Sequence, residues 1–488
     1  MIADSHPILT LNDARRLEAK RFGGDEAKEW PAMQQAGSGV ATAMLTDFEE
    51  IGGFPDTGRL LVLVGKGHNG GDALIAAQAL LERFPAAQAD VLFVLGERDL
   101  RPLTARAYRA LVQMAANRLR IISVGELAPD YALGLDGIFG FQFRPPAGRA
   151  IIALLERVNA LPIRLRAAVD LPSAGLFRAD FTYATGCVKA PILTEKNAGR
   201  LRYIDLGFFT GAQRGAERVL TPALLTPLAG LRPPHSDKRS QGHLLVLGGS
   251  LSFPGAVLMT VLAALRSGAG LVTAFVPESL APAYAARAPE AMWMGWPETA
   301  TGGLALEGRH LLQTKLAGAT ALAIGPGLGR EPEALALVTD IVKTVRIPVL
   351  LDADALQPGI VKAAKTSLVL TPHAGEFARI AGKTELRAFC RKSGAVVALK
   401  GPITRVSDGA RVYHSFFGGP VLARGGSGDL LAGLTGGLLA QTPQDPLLAA
   451  SRGVVWHGRA ADLLARAHGQ TAVHTTQLLG YLSAVLRN

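Results

Sequence analysis

The sequence predicts an α/β protein built from two domains, and three observations carry that expectation. The chain is 488 residues long, where one domain takes roughly 150 residues. An apolar strand, a glycine-rich turn and a helix follow one another repeatedly in both halves, which is the pattern of a parallel, helix-covered sheet. Between them, residues 220–243 carry prolines at 222, 227, 233 and 234. Those prolines break every periodic pattern and read as a linker. The expected division is a first domain over 1–219, a linker over 220–242 and a second domain over 243–488.

Composition excludes other classes. Hydrophobic residues make up 49% of the chain and charged residues 19%, too apolar for a disordered or fibrous protein. Cys187 and Cys390 lie too far apart in sequence to suggest a disulfide scaffold or a cysteine metal site. That favours a reducing, cytoplasmic setting. Neither a secretory signal nor a membrane span is expected. The net charge of +11 is unevenly placed: residues 1–226 hold 26 Lys and Arg against 24 Asp and Glu, and residues 227–488 hold 25 against 16. A basic half suits nucleic acid, acidic lipid or a phosphate-bearing small molecule, but a solvated basic surface explains it equally well. No Lys/Arg block of a nucleic-acid tail is present.

Along the first half, a helix is expected over 11–21, with Thr10 or Asn12 as cap, and another over 31–48 with a small-residue face. Leu60 to Val64 are five consecutive apolar residues, a strand buried on both faces. A glycine turn and a helix from about Asp72 follow. Further strands are expected at 89–96, 118–125, 131–140 and 164–172. The second half restarts with strands at 243–250 and 270–277, a helix between them, and strands at 320–329, 348–356, 367–377 and 395–401. No fixed-period identity relates the halves, so two different domains are expected.

Chemistry concentrates at strand ends. In GKGHNGGDA (65–73), glycines let backbone approach a ligand, and a helix N-terminus offers N–H groups to an anion. The oxygens of Asn69 and Asp72 could bind a hard cation. Turn support by Asn69 and helix capping by Asp72 are the plainer explanation. Asp136, Asp170 and Ser173 stand at two further strand ends, where ligands bind in open α/β sheets, although turn chemistry also uses such residues. In the second half, Gly425-Gly426-Ser427-Gly428 leads into Asp429 and an apolar helix. Amides there form an anion hole, and Asp429 can take a proton from a hydroxyl attacking phosphorus. Lys400 and Thr404 sit where phosphate could be met. His373 and Glu376 follow a buried strand, and Asp352 and Asp354 end another, either binding through magnesium or holding a loop. GPGLG (325–329) is a flexible turn.

Residues 8–217 resemble the NAD(P)H-hydrate epimerases, whose Asn-Asn-Gly-Gly-Asp motif stands here as His68-Asn69-Gly70-Gly71-Asp72. The resemblance implies a Rossmann-like three-layer sandwich and a potassium ion on Asn69, Asp136 and Ser173. It further implies hydrate contacts from the motif, from Gly140, Phe141, Gln142, Phe143, Arg144, Pro145 and Pro146, and from Asp170, the implied base. The sequence departs from the family at His68, Ala73 and Ala174, where Asn, Gly and Gly are usual. From about His235 to Val485, the segments GHLLVLGGS, ALRSGAGLVT, GPGLG, DADAL, TPHAGEF, KGPIT and GGSGD occur in the order of the ADP-dependent NAD(P)H-hydrate dehydratases. That resemblance implies a ribokinase-like fold and hydrate contacts at Ala256, Gly327, His373 and Asp429. It implies adenine-nucleotide contacts at Lys400, Gly401, Pro402, Ile403, Thr404 and Gly428, with ADP as co-substrate and magnesium as metal. The family's His-Lys-Gly at the start of this domain is altered to His235-Ser236-Asp237-Lys238. A two-step repair of hydrated NADH and NADPH by a cytoplasmic homo-oligomer, without nucleic acid or membrane, is therefore expected. The rival readings are a ribokinase-type small-molecule kinase and an N-terminal domain used only for binding RNA or protein.

Overall fold

The computed structural model describes residues 1–210 and 215–487. The chain forms two compact units. One is His6–Gly215 together with Ala465–Gly469; the other is Ala216–Leu464 with the residues from Gln470 onward and the five residues Met1–Ser5.

The N-terminal unit is built on a parallel sheet with Arg59–Val64 near its middle. Gln88–Phe93 and Leu119–Ile121 extend it on one side. Tyr131–Gly137, Ile163–Val169, Phe181–Thr185 and Arg200–Ile204 extend it on the other. Side chains alternate between faces along a strand. Leu60, Val62 and Val64 therefore join residues of helices Glu26–Phe48, His68–Arg83 and Pro102–Ala115. Leu61 and Leu63 join Leu154, Leu155 and Val158 of helix Arg149–Ala160. Burial on both faces is why the strand reads as an unbroken apolar run. The order of strands reverses between Arg59–Val64 and Tyr131–Gly137, which opens a crevice at their carboxyl ends.

Several local expectations change. Thr10 caps helix Leu11–Phe22 by accepting from the Asp13 amide. The next helix starts at Glu26, capped by Asp25, and carries Pro31 inside it rather than at its head. The helix expected from Asp72 begins at His68, so Asp72 lies within it and does not cap it. Its glycines serve packing: a Cβ on Gly70 would lie 2.2 Å from the Gly65 carbonyl oxygen, and one on Gly71 would lie 2.7 Å from the Met33 sulfur. The strand expected over 118–125 shrinks to Leu119–Ile121, at the sheet edge.

In the C-terminal unit, Met292–Trp296, Leu271–Pro277, His243–Leu247, Ala321–Ile324, Val349–Leu351, Leu368–Leu370 and Val396–Leu399 run parallel in that order. Thr404–Ser407 and Val412–Ser415 continue the sheet antiparallel, and Glu217–Leu220 adds to Val412–Ser415 in parallel. Here too the order reverses, around His243–Leu247. Helix Ser427–Gln441 packs on helix Pro254–Arg266 so closely that a Cβ on Gly433 would lie 2.1 Å from the Thr260 carbonyl oxygen. Gly436 of the same helix faces Leu244 and Ala323 of the sheet.

The division falls at 215/216, four residues before the expected boundary, because Glu217–Leu220 is a strand of the C-terminal unit. The first part of the expected linker is anchored rather than free: Thr221, Leu224 and Leu225 are buried, and the Arg452 guanidinium donates to the Leu224 carbonyl at 3.2 Å. Proline there breaks periodicity without releasing the chain. Among the described residues, no helix is long and apolar enough to cross a membrane.

Candidate functional site

The crevice of the N-terminal unit holds a cavity of about 270 Å³. Helix His68–Arg83 contributes Asn69 and Asp72, the segment after Tyr131–Gly137 contributes Gly140 to Phe143, and the end of Ile163–Val169 contributes Asp170. Strand Val188–Lys189 adds Lys189, and the first helix adds Glu18.

Asp136, Ser173 and Asn69 are linked through one loop. The Ser173 hydroxyl and amide donate to the Asp136 carboxylate at 2.6 and 2.7 Å, and Ile138 N adds a third bond at 3.2 Å. Phe139 N donates to the Ser173 hydroxyl, while its carbonyl accepts from Asn69 Nδ2 at 3.2 Å. The same Nδ2 donates to the Val169 carbonyl at 2.8 Å. Burial pushes the Asp136 carboxyl up to about 6 against those three bonds. The Asn69 NH2 group thus serves two carbonyls, one proton each, beside a buried carboxylate and hydroxyl that hydrogen-bond each other, and the oxygens of Asn69, Asp136 and Ser173 gather within that cluster. Those oxygens fit a hard, weakly charged cation.

Asp170 takes a left-handed conformation, φ 68°, which non-glycine residues adopt at a cost. This turns its carboxylate to Lys189 Nζ at 2.5 Å and to the Phe141 amide at 3.2 Å. Lys189 is almost fully buried; burial opposes its charge, but Asp170 and its neighbours hold its pKa above the usual value. Asp72 is pushed well up by burial and by Asp170.

Two of the three departures from the epimerase pattern, His68 and Ala73, have local explanations, and nothing in the structure explains the third. His68 Nε2 lies 3.3 Å from Glu29, in an ion-pairing position that asparagine would not fill, while burial lowers its pKa. The Ala73 methyl is admitted because Gly137 has none, a Cβ there lying 2.5 Å away. Ala174 sits at φ 57°, where glycine carries no penalty.

In the C-terminal unit the same rule of strand ends applies. Gly426, φ 89°, starts helix Ser427–Gln441, and Asp429 falls in its first turn. Thr260 Oγ1 donates to the Asp429 carbonyl at 3.2 Å. Lys400 Nζ donates to Asp352 at 3.1 Å and lies 3.9 Å from Glu376; a Cβ on Gly428 would lie 3.1 Å from that ammonium. Burial and the nearby Asp352 raise the Asp429 carboxyl to about 7, with Lys400 opposing and Glu376 adding. Asp352 is buried and accepts from Thr371 at 2.8 Å, whereas Asp354 pairs with Arg330 at 2.7 Å. Of the two aspartates, Asp352 therefore belongs to the cluster and Asp354 holds a loop. Gly327, φ 67°, lies against Ala256 and the Phe253 carbonyl. His373 caps helix Ala374–Ala381 by accepting from Gly375 and Glu376 amides, with its ring largely exposed.

Residues 31–193 match the family model of the YjeF-related protein N-terminus, and residues 244–483 match that of NAD(P)H-hydrate dehydratase. A bifunctional NAD(P)H-hydrate repair enzyme of Moorella thermoacetica is 35% identical, aligned over 93% of this chain and 92% of its own. The chain belongs to the bifunctional NAD(P)H-hydrate repair enzyme family. A family member from Gloeobacter violaceus is also 35% identical, over 97% of each chain, and one from Escherichia coli is 31% identical over 89% of this chain and 86% of its own. The fold of the C-terminal unit is similar to that of a ribokinase-like superfamily protein from Enterococcus faecalis. The TM-score is 0.50 and the identity 26%, over 57% of this chain and 98% of that one.

Set against this family of repair enzymes, the sequence-expected residues divide clearly. His68, Asn69, Asp72, Gly140 to Phe143 and Asp170 line one cavity. Arg144, Pro145 and Pro146 lie beyond its lining. Asp352, Lys400, Glu376, Gly428 and Asp429 gather at the other site. Sequence reasoning missed Lys189 and Glu18. Lys189 stands in a two-residue strand with no motif around it, and Glu18 sits on an ordinary amphipathic helix. Only Glu18's spacing of four from the buried Ala14 placed it on the inward face.

Proposed function

We propose that the N-terminal unit interconverts the R and S hydrates of NADH and NADPH, and that the C-terminal unit dehydrates the S hydrate with ADP, yielding AMP and phosphate. The observation that carries this reading is the presence, in one chain, of two separate strand-end sites, each with a carboxylate beside a lysine. These are Asp170 with Lys189, and Asp429 near Lys400.

In the dehydratase, Ala256, Gly327, His373 and Asp429 hold the hydrate. Asp429, raised to about 7, takes the proton of the hydroxyl as its oxygen attacks the terminal phosphorus. Lys400 and the amides of the turn before Ser427 stabilise the transferred phosphoryl group. Gly401, Pro402, Ile403, Thr404 and Gly428 flank the nucleotide. Loss of phosphate from the ring carbon and of a proton from its neighbour restores the double bond. Among the described residues no group of three His, Cys, Asp or Glu forms a metal site, and Lys400 already engages Asp352. Magnesium would therefore arrive on the nucleotide phosphates, with at most one or two carboxylates reaching it.

In the epimerase, Asp170 is the base and the loop from Gly140 to Pro146 covers the hydrate. Asn69, Asp136 and Ser173 would hold potassium, whose charge would steady the buried Asp136 carboxylate. The free thiols Cys187 and Cys390 support a cytoplasmic setting. A homo-oligomer is the expected state, and sedimentation of the full chain would test it.

The test supplies mixed NADH-hydrate epimers and ADP and follows NADH absorbance. Full recovery is expected; recovery stopping at half, beyond spontaneous epimerisation, removes the epimerase assignment, and no recovery removes the dehydratase assignment. Asp429→Ala is expected to abolish recovery.

A further inference from the structure

Glu18 faces the N-terminal cavity from a helix that neither the motifs nor the assigned base explain. Helix Leu11–Phe22 buries Ala14 against Phe141 and Cys187. Glu18 is one turn further on the same face. It lines both the 270 Å³ cavity, with Asp170 and Lys189, and a neighbouring cavity of about 390 Å³ that shares His68, Asp72 and Gln142 with it. Carboxylates at Glu29, Asp72 and Asp170 surround it, with Lys189, Lys66, Arg15 and Arg101 as the cationic groups and His68 beside them.

Inverting a carbon that carries a hydroxyl next to the ring nitrogen requires two proton transfers. The hydroxyl must leave protonated from one face, and water must return deprotonated to the other. The Asp170–Lys189 pair supplies one transfer group. We propose that Glu18 is the second proton-transfer residue of the epimerisation, working with Asp170.

Protonated Glu18 gives its proton to the hydroxyl as the C–O bond breaks, and the ring nitrogen lone pair forms a C=N bond. Water then adds to the opposite face while Asp170 takes its extra proton, and the C=N pair returns to nitrogen. The opposite epimer is processed with the two roles exchanged, and solvent exchange resets the protons. Burial, with Asp170 and Glu29, raises Glu18 to about 7 against Lys189 and Gln142, so both of its protonation states are populated near neutrality.

This inference rests on the epimerase reading. With the full chain and no ADP, the approach of an R-enriched hydrate to epimeric equilibrium is followed by chromatography. Wild-type interconversion above the spontaneous rate upholds the reading; its absence overturns the reading and this inference together. Given that activity, Glu18→Gln is expected to lower kcat about 100-fold with KM little changed, and to remove a limb near pH 7 from the rate profile. Glu18→Asp, which keeps a carboxyl on a shorter arm, is expected to restore part of the rate, which a merely structural role would not do. Wild-type kcat in Glu18→Gln overturns the proposal, as does a rise in KM alone or a Glu18→Asp variant no better than the amide at unchanged melting temperature.

Discussion

Asp429 shows how a single side chain is tuned by its surroundings. A carboxylate raised to about 7 by burial and by Asp352 must lose its proton to act as base. Dehydratase kcat/KM is therefore expected to rise with pH through about 7 and then level off. Lys400 opposes that rise, so Lys400→Met should move the limb to higher pH as well as lower the rate. A profile in Lys400→Met with its limb unmoved contradicts the coupling. At Ala174, φ 57° places a methyl where only glycine is unstrained. Ala174→Gly is expected to stabilise the N-terminal unit by about 0.5–1 kcal/mol, after the greater unfolded-state freedom of glycine is subtracted; the melting temperature measures it. Asn69, Asp170 and Asp429 were legible as candidates because each stands beside a glycine- or proline-marked turn that the sequence displays. Lys189 was not, since nothing around it marks a site until the strand carrying it is set beside Asp170.

At the level of elements, glycines decide how closely backbones approach. The strand Arg59–Val64 announced itself, because burial on both faces demands an unbroken apolar run. The start of the following helix was harder to read: two glycines look like a turn, whereas here they let helix His68–Arg83 begin early and lie against Gly65 and Met33. Gly70→Ala would put a methyl 2.2 Å from a backbone oxygen. It should cost about 1–3 kcal/mol by overpacking and depress epimerisation by displacing Asn69. Denaturant melts and epimer kinetics on the same variant test both. The strands Thr404–Ser407 and Val412–Ser415 were overlooked because their mixed polarity shows no clean alternation.

At the scale of the whole molecule, the C-terminal unit draws on both ends of the chain. Arg218 is fully buried and donates to Ser5 through its side-chain oxygen at 2.7 Å and through its carbonyl. Ile2 N donates to the Tyr413 hydroxyl, and Thr221 N to the Asp4 carbonyl. Ser5→Ala is expected to destabilise this unit by about 1–3 kcal/mol by weakening the satisfaction of a buried guanidinium, read as a lower melting temperature with the N-terminal transition unchanged. Potassium should act on the other unit: if Asn69, Asp136 and Ser173 hold the ion, replacing KCl by LiCl at equal ionic strength should lower its melting temperature, since binding only the folded state stabilises it. Equal melting in the two salts counts against that ligand set.

By itself the sequence determined the α/β class, the presence of two different domains and most of the candidate residues that line the N-terminal cavity or gather around Lys400. Buried parallel strands and ligand-facing turns constrain residue type locally. Only the tertiary structure decided that the division lies at 215/216 with Met1–Ser5 across it, that Asp352 rather than Asp354 faces Lys400, and that Lys189 and Glu18 meet Asp170 in one cavity. Those facts depend on which distant segments pack together, and a buried charge is recognisable only once the partner that stabilises it is beside it.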